Sequence, residues 1–322
     1  MTDDVCQPKS TCTNHQAVNN ASQNHAGCDV TGIAAFACAR SGAFIPGSVV
    51  DFQKGERQMN IDYALCEALK AMDLDAGGKV MVIYDVMCQY HVHLWKRISE
   101  NPFLSFPEKL QLLAAIGLFH VHGHRDECLF RFATSFIPGA GMVDGEILES
   151  LWAQLNDISR STRTSTLAHR SEVLDDHMNY SNWNKMVNIV SSVISKYKKS
   201  VLGLVDSQEY FHQLNQSALA SDVEKWTEAI RHAEKQWEKG HLEAMDIMEP
   251  EKPEYYEGKY SILASFLHGP AAVSHHRSHA VSHRRRRPRR GYPSHRRCSI
   301  FLHGITSHGV LLLSRDSLVS LG

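Results

Sequence analysis

The sequence predicts an α/β fold, a small sheet flanked by helices, followed by a helical extension and a basic tail of low order. Three observations predict it. The run Lys79-Val80-Met81-Val82-Ile83-Tyr84-Asp85 is short and rich in β-branched residues, the pattern of a buried strand. Two earlier β-like runs flank a Ser41-Gly42 turn, the pattern of a hairpin. Between hairpin and buried strand, Ile61, Leu65, Leu69 and Met72 share one helical face.

The bulk numbers allow such a fold. A chain of 322 residues holds one large domain or two small ones. Hydrophobic content of 43% and charged content of 21% suit a packed core. No apolar stretch reaches the roughly 18 residues of a membrane span, and the Met1-Thr2-Asp3-Asp4 start lacks the features of a secretory signal. The eight cysteines form no tight framework, which points to reduced thiols. The net charge of −1 conceals a split. Residues 259–322 carry ten arginines, Lys259 and one acid, a net +10 against −11 for the preceding 258 residues. That asymmetry describes an acidic body with a basic tail.

In order, residues 1–28 read as a polar leading segment. Residues 29–180 read as the partial core, 181–258 as a helical extension and 259–322 as the basic tail. Within the core, residues 31–40 form one strand, and 43–45 with 48–52 form its return partner, broken at Pro46-Gly47. A helix follows over 61–72, closed by Gly77-Gly78, and then comes the strand to Asp85. Residues 86–98 read as a helix with Val92 and Trp95 inward, and 112–121 as a strand entering a histidine cluster. The loop Ile137-Pro138-Gly139-Ala140-Gly141 leads to a helix carrying glutamates. Further helices are expected over 183–197 and 223–243. This order matches most of an RNase H-like (retroviral integrase-type) core. That fold begins with three antiparallel strands. Only two precede the first helix here, so the first strand, ordinarily the bearer of a catalytic aspartate, is missing.

The chemistry centres on Asp85, a carboxylate at a strand end, where a sheet opens. The alternative for Asp85 is a helix N-cap. Sixty-one residues later, Gly145-Glu146-Ile147-Leu148-Glu149-Ser150-Leu151-Trp152 places Glu146 and Glu149 three residues apart on one helical face. Leu148, Leu151, Trp152 and Leu155 occupy the other. The glutamates form either a metal-facing stripe or a solvated face. Carboxylates on a strand end and a nearby helix can hold the paired divalent metals of phosphoryl transfer. Phe119-His120-Val121-His122-Gly123-His124-Arg125-Asp126-Glu127-Cys128 concentrates imidazoles and a thiol. His120, His124 and Cys128 could take zinc, although no CxxC half lies nearby, and hydrogen-bonding histidines remain the alternative. Cys12-x-x-His15 and His25-x-x-Cys28, with Cys6 in reserve, look like two further ligand pairs. Arg284-Arg285-Arg286-Arg287-Pro288-Arg289-Arg290 is a nuclear import signal or a phosphate-binding arm, unless the tail is translated non-coding sequence.

Several stretches resemble the Kyakuja–Dileera–Zisupton (KDZ) transposases, of the fungal type. They are Asp29-Val30-Thr31-Gly32, the run from Val50 to Arg57, Asn60-Ile61-Asp62-Tyr63 and the run from Tyr84 to Tyr90. Phe119-His120-Val121-His122-Gly123-His124, the run from Pro138 to Glu146, Leu174-Asp175-Asp176-His177 and Asn182-Trp183 continue the series in order. The resemblance implies an RNase H-like DDE core acting on DNA in the nucleus with Mg²⁺ or Mn²⁺. Asp85 is then similar to the second catalytic aspartate, Glu146 or Glu149 to the catalytic glutamate, and the His/Cys segment to the insert between them. In the family the first aspartate lies upstream of this chain's start. Asp29, Asp51 and Asp62 are the acids near the early strands, and none sits midway along a central one. Strand count and family pattern both describe an N-terminally truncated, catalytically inert copy. DNA is the expected partner, with a homo-oligomer left open. The rival readings are a non-enzymatic DNA- or partner-binding remnant, a zinc-stabilised interaction module and a product without function.

Overall fold

The structure, a computed structural model, describes residues 12, 29–74, 77–141, 143–162, 164–250 and 310–314. It is mixed α/β, as expected. The first β run splits in two. β1 (Gly32–Ala34) pairs antiparallel with β3 (Val50–Phe52), and one residue later β2 (Phe36–Cys38) joins a second sheet. Thr31 and Gly55 bind across the hairpin's open end, the Thr31 hydroxyl donating to the Phe52 carbonyl at 2.9 Å.

The second sheet has the order β2, β6, β4, β5, where β4 is Lys79–Ile83, β5 is Gln111–Ala115 and β6 is Val310–Ser314. β4 and β5 run parallel in the register Val80↔Leu112, Val82↔Ala114. β6 runs parallel to β2 and antiparallel to β4. The strand Val310–Ser314 from the basic tail therefore sits mid-sheet, where the sequence reading placed no element. The rest of that tail, its arginine run included, lies outside the described residues. Apart from Pro250, the described residues belong to one compact unit.

Side chains alternate across β4, so one strand feeds two cores. Val80 and Val82 face the core built on α1 (Gln58–Ala71), with Ile61, Leu65 and Leu69. Met81 and Ile83 face the core built on α6 (Ile147–Asn156), with Leu148, Leu151, Trp152 and Leu155. Helices thus cover both faces of the sheet, the condition for a continuous apolar strand.

Several expected elements take other bounds. Residues 86–98 are broken into α2 (Met87–Tyr90), a 3₁₀ turn (His91–His93) and α3 (Leu94–Glu100). That break turns Leu94 and Ile98 inward, while Val92 is half-buried and Trp95 is 50% exposed, its ring edge against Phe106. The expected strand over 112–121 ends at Ala115, and α4 (Leu118–Val121) and α5 (Asp126–Phe132) follow. After α7 (Ser159–Thr162), α8 (Leu167–Val187) starts well before residue 183, capped by the Thr166 hydroxyl. Its Asn182 side chain brackets the Phe44 backbone, accepting from N at 2.8 Å and donating to O at 2.9 Å. α9 (Ile189–Gln216) and α10 (Ala220–Glu238) complete the extension, and a 3₁₀ segment (Leu242–Met248) follows. Trp237 donates to the Arg131 carbonyl at 2.8 Å, and Lys79 pairs with Glu238 at 3.1 Å, which ties α10 to the sheet. No helix among the described residues is long and apolar enough to cross a membrane.

Candidate functional site

The strand β4 ends at Ile83, and Tyr84 still donates to the Ala115 carbonyl at 3.0 Å. Asp85 follows, 5% exposed, at the C-terminal edge of the parallel pair. It does not cap the next helix: Val86 holds that position, without a side-chain cap. Tyr84 donates its hydroxyl to Glu56, which adds another carboxylate beside Asp85.

Glu146 is not on the helix proper. It is the N-cap residue of α6, with φ −105° and ψ 15°, and Glu149 lies in the first turn. Two glycines bring it to the strand end. Gly145 has φ +82°, a left-handed conformation that favours glycine, and a Cβ there would stand 2.9 Å from the Gly117 Cα. A Cβ on Gly117 would meet the Glu146 carboxylate. The loop after β5 and the start of α6 thus touch backbone to backbone. Leu118 donates to the Asp144 carbonyl at 2.8 Å, and Phe119 N donates to Glu146 Oε1 at 3.1 Å.

His120, on α4, joins the three acids. Its Nδ1 lies 3.6 Å from Asp85 Oδ2, and its Nε2 lies 3.2 Å from Glu146 Oε2 and 3.6 Å from Glu149 Oε1. Hydrogen bonds that His120 donates to Glu146 and Glu149, aided by the Asp85 charge and opposed by burial, push its pKa up to about 10. It is an imidazolium at neutral pH. Burial drives the Asp85 carboxyl well above its ordinary range; His120 opposes the shift, and Glu146, Glu56 and Glu149 add to it. His120, Glu146 and Glu149 each offer a ligand atom within 4.8 Å of one another, and Asp85 lies against the other ring nitrogen of the same histidine.

The other early acids are committed elsewhere. Asp51 pairs with Arg170 at 2.8 Å, and the buried Asp62 accepts from Nε and Nη2 of Arg97 at 2.7 and 3.0 Å. Asp29 is exposed.

The histidine–cysteine segment serves two sites rather than one. His120 faces the carboxylates. His124 and Cys128 point into a separate cluster with Cys12 and Cys88, where all four are buried and their ligand atoms lie within 4.8 Å of one another. Cys12 Sγ and Cys88 Sγ lie 3.3 and 3.4 Å from His124 Nδ1. The hydrogen bond from Cys88 outweighs burial and, with help from His124, holds the Cys128 thiol down at about 5, while Cys88 is raised. A buried Cys₃His set of this kind could hold a metal such as zinc. The expected grouping of His120 with His124 and Cys128 is corrected in this way, because a short helical break sends successive imidazoles to different sides. Cys12 comes from the leading segment, whereas Cys6, His15, His25 and Cys28 lie outside the described residues. Gln89 donates to the Cys12 carbonyl and so seats that residue beside α2. Cys88 carried no ligand signal of its own: its one clue was a position three residues after Asp85.

A family model described as Kyakuja-Dileera-Zisupton transposase matches residues 1–182. No curated protein and no solved structure matches the chain.

Proposed function

The chain belongs to the KDZ transposase family, and from that premise we propose that its sheet and flanking helices form an RNase H-like core of the DDE type, directed at DNA in the nucleus. The observation that carries this reading is the convergence of Asp85, Glu146 and Glu149 on His120 from segments 61 residues apart. Asp85 and Glu146, with Glu149 at the exposed rim, would hold Mg²⁺ or Mn²⁺. The chemistry such a cation supplies is activation of water or a DNA 3′-hydroxyl and stabilisation of the leaving oxygen of the phosphodiester. The protein's part is to fix the carboxylates: Asp85 by burial at the strand end, Glu146 by the Phe119 amide and the glycine contact. His120 balances their charge in the cation-free protein.

The polypeptide by itself is catalytically inert or nearly so. The strand between β2 and β4 is β6, Val310-Leu311-Leu312-Leu313-Ser314, which bears no acid to complete a third catalytic position. The Cys12, Cys88, His124 and Cys128 set would hold zinc in a closed structural role. Because Cys88 follows Asp85 by three residues and His124 follows His120 by four, that centre would brace the carboxylate pocket.

Mn²⁺ titration of the purified chain, read by electron paramagnetic resonance, tests the pocket. Binding is expected, lost in Asp85→Ala and weakened in Glu146→Gln; an absence of Mn²⁺ binding sinks the DDE assignment. Mg²⁺-dependent DNA nicking that Asp85→Ala abolishes would overturn the inert reading. The Cys₃His set favours a second reading, a zinc-stabilised module without catalysis. Stoichiometric zinc after dialysis together with no Mn²⁺ site selects it.

A further inference from the structure

Helix α9 spans 28 residues and buries none of them. Six of its twelve exposed large apolar residues are nevertheless ordered in one series. Val190, Ile194, Tyr197, Val201, Leu204 and Phe211 follow one another at the alternating four- and three-residue steps of a coiled-coil seam, with Gln208 filling the remaining position. All six are between 42% and 68% exposed. At 100° per residue they fall within a stripe of about 100°, wide enough to pair with another helix. A contiguous apolar stripe of this length on a charged helix marks an interface.

Charge selects the occupant. Lys196, Lys198 and Lys199 lie in the N-terminal half of α9, and its acids, Asp206 and Glu209, lie in the C-terminal half. Two parallel copies would set lysine beside lysine. Two antiparallel copies in the register Val201 opposite Leu204 also bring Ile194 opposite Phe211 and Tyr197 opposite Gln208. In that register Lys198 of each copy runs along the flank that bears Glu209 of the other. Within its own helix Lys198 has no acid within four positions, and Glu209 has no lysine or arginine within four. The Tyr197–Gln208 pair places one polar contact in an apolar seam, a device that sets register. The helix dipoles oppose one another favourably in the same arrangement. Lys196, on the far flank, donates to the Arg40 carbonyl, so the body holds the helix and leaves the stripe outward.

We propose that α9 is a self-association element through which two copies of this chain pair antiparallel about a two-fold axis between Val201 and Leu204. Such a contact is isologous and closes at the dimer. The matched family residues end at 182, so the inference stands apart from the transposase reading.

Light scattering of the full chain at about 50 µM is expected to give twice the 36.2 kDa of one copy. Leu204→Glu should yield the monomer with unchanged helix content by circular dichroism. Lys198→Glu should weaken the dimer about tenfold, and adding Glu209→Lys to the same chain should restore it. A monomer at that concentration, or a dimer that Leu204→Glu leaves intact, overturns the proposal. Failure of the double variant to recover overturns the antiparallel register.

Discussion

His120 and Asp85 set the charge balance of the pocket, and each predicts a pH response. His120 is raised from 6.5 to about 10 in the folded chain. Its contribution to stability is therefore complete below pH 6.5 and is lost as pH rises through about 10. Asp85 is raised as well, so the native state holds that proton more tightly, and stability again falls as pH rises above the ordinary carboxylate range. Urea unfolding of the metal-free protein should show a falling midpoint from pH 6.5 to about 10. His120→Gln should flatten that slope; an unchanged slope would place His120 outside the charge cluster. At pH 7, Asp85→Asn removes a group whose ionised form burial and the neighbouring acids disfavour, and should stabilise the metal-free chain against urea. Asp85 was legible in the sequence because an apolar run that ends in an acid is a local pattern. His120 was legible as a ligand type but not as the partner of carboxylates, since its partners lie 35, 26 and 29 residues away.

At the scale of elements, the contact between Gly117 and Gly145 places Glu146. Adding a methyl at Gly117 would push into the Glu146 carboxylate. Gly117→Ala should therefore cost about 1–3 kcal/mol and weaken Mn²⁺ binding at least about tenfold. Gly203→Ala is the control: it lies mid-α9 in open space and should leave the metal site untouched. Equal Mn²⁺ affinity in the two variants would show that the glycine contact does not position the carboxylate. The buried face of α6 followed from spacing alone: Leu148, Leu151, Trp152 and Leu155 are all buried. The glycines carried no such signal, because a close approach between two loops has no periodicity. The break within 86–98 was equally silent, and it is what exposes Trp95 and frees Cys88 to face His124.

At the scale of the molecule, β6 holds the larger sheet together. Leu312 pairs with Cys38 on one side and Val82 on the other. Without β6, β2 and β4 would each present an unpaired edge, and open apolar edges recruit other chains. Leu312→Pro removes an amide donor in the middle of both ladders. It should lower the unfolding midpoint and raise aggregation on warming, measured by denaturant titration and static light scattering. A midpoint within error of the parent would mean that β6 contributes nothing to the sheet. The tail's composition argued against a core, and only the four-residue apolar run from Val310 to Leu313 points the other way. Its strand neighbours lie more than 200 residues earlier, a separation at which pairing is decided by the gap to be filled rather than by local preference.

The sequence by itself determined the α/β class, the buried run that ends in Asp85, the apolar face of the glutamate helix and the family motifs, because each is written in the spacing of neighbouring residues. Only the tertiary structure decided that Glu146 leaves its helix, that His120 parts from His124, that Cys12 and Cys88 complete a buried thiol–imidazole cluster, and that a tail strand enters the sheet. Those outcomes depend on which distant side chains and backbone amides must satisfy one another once the core has closed, and residue spacing along a chain does not encode that.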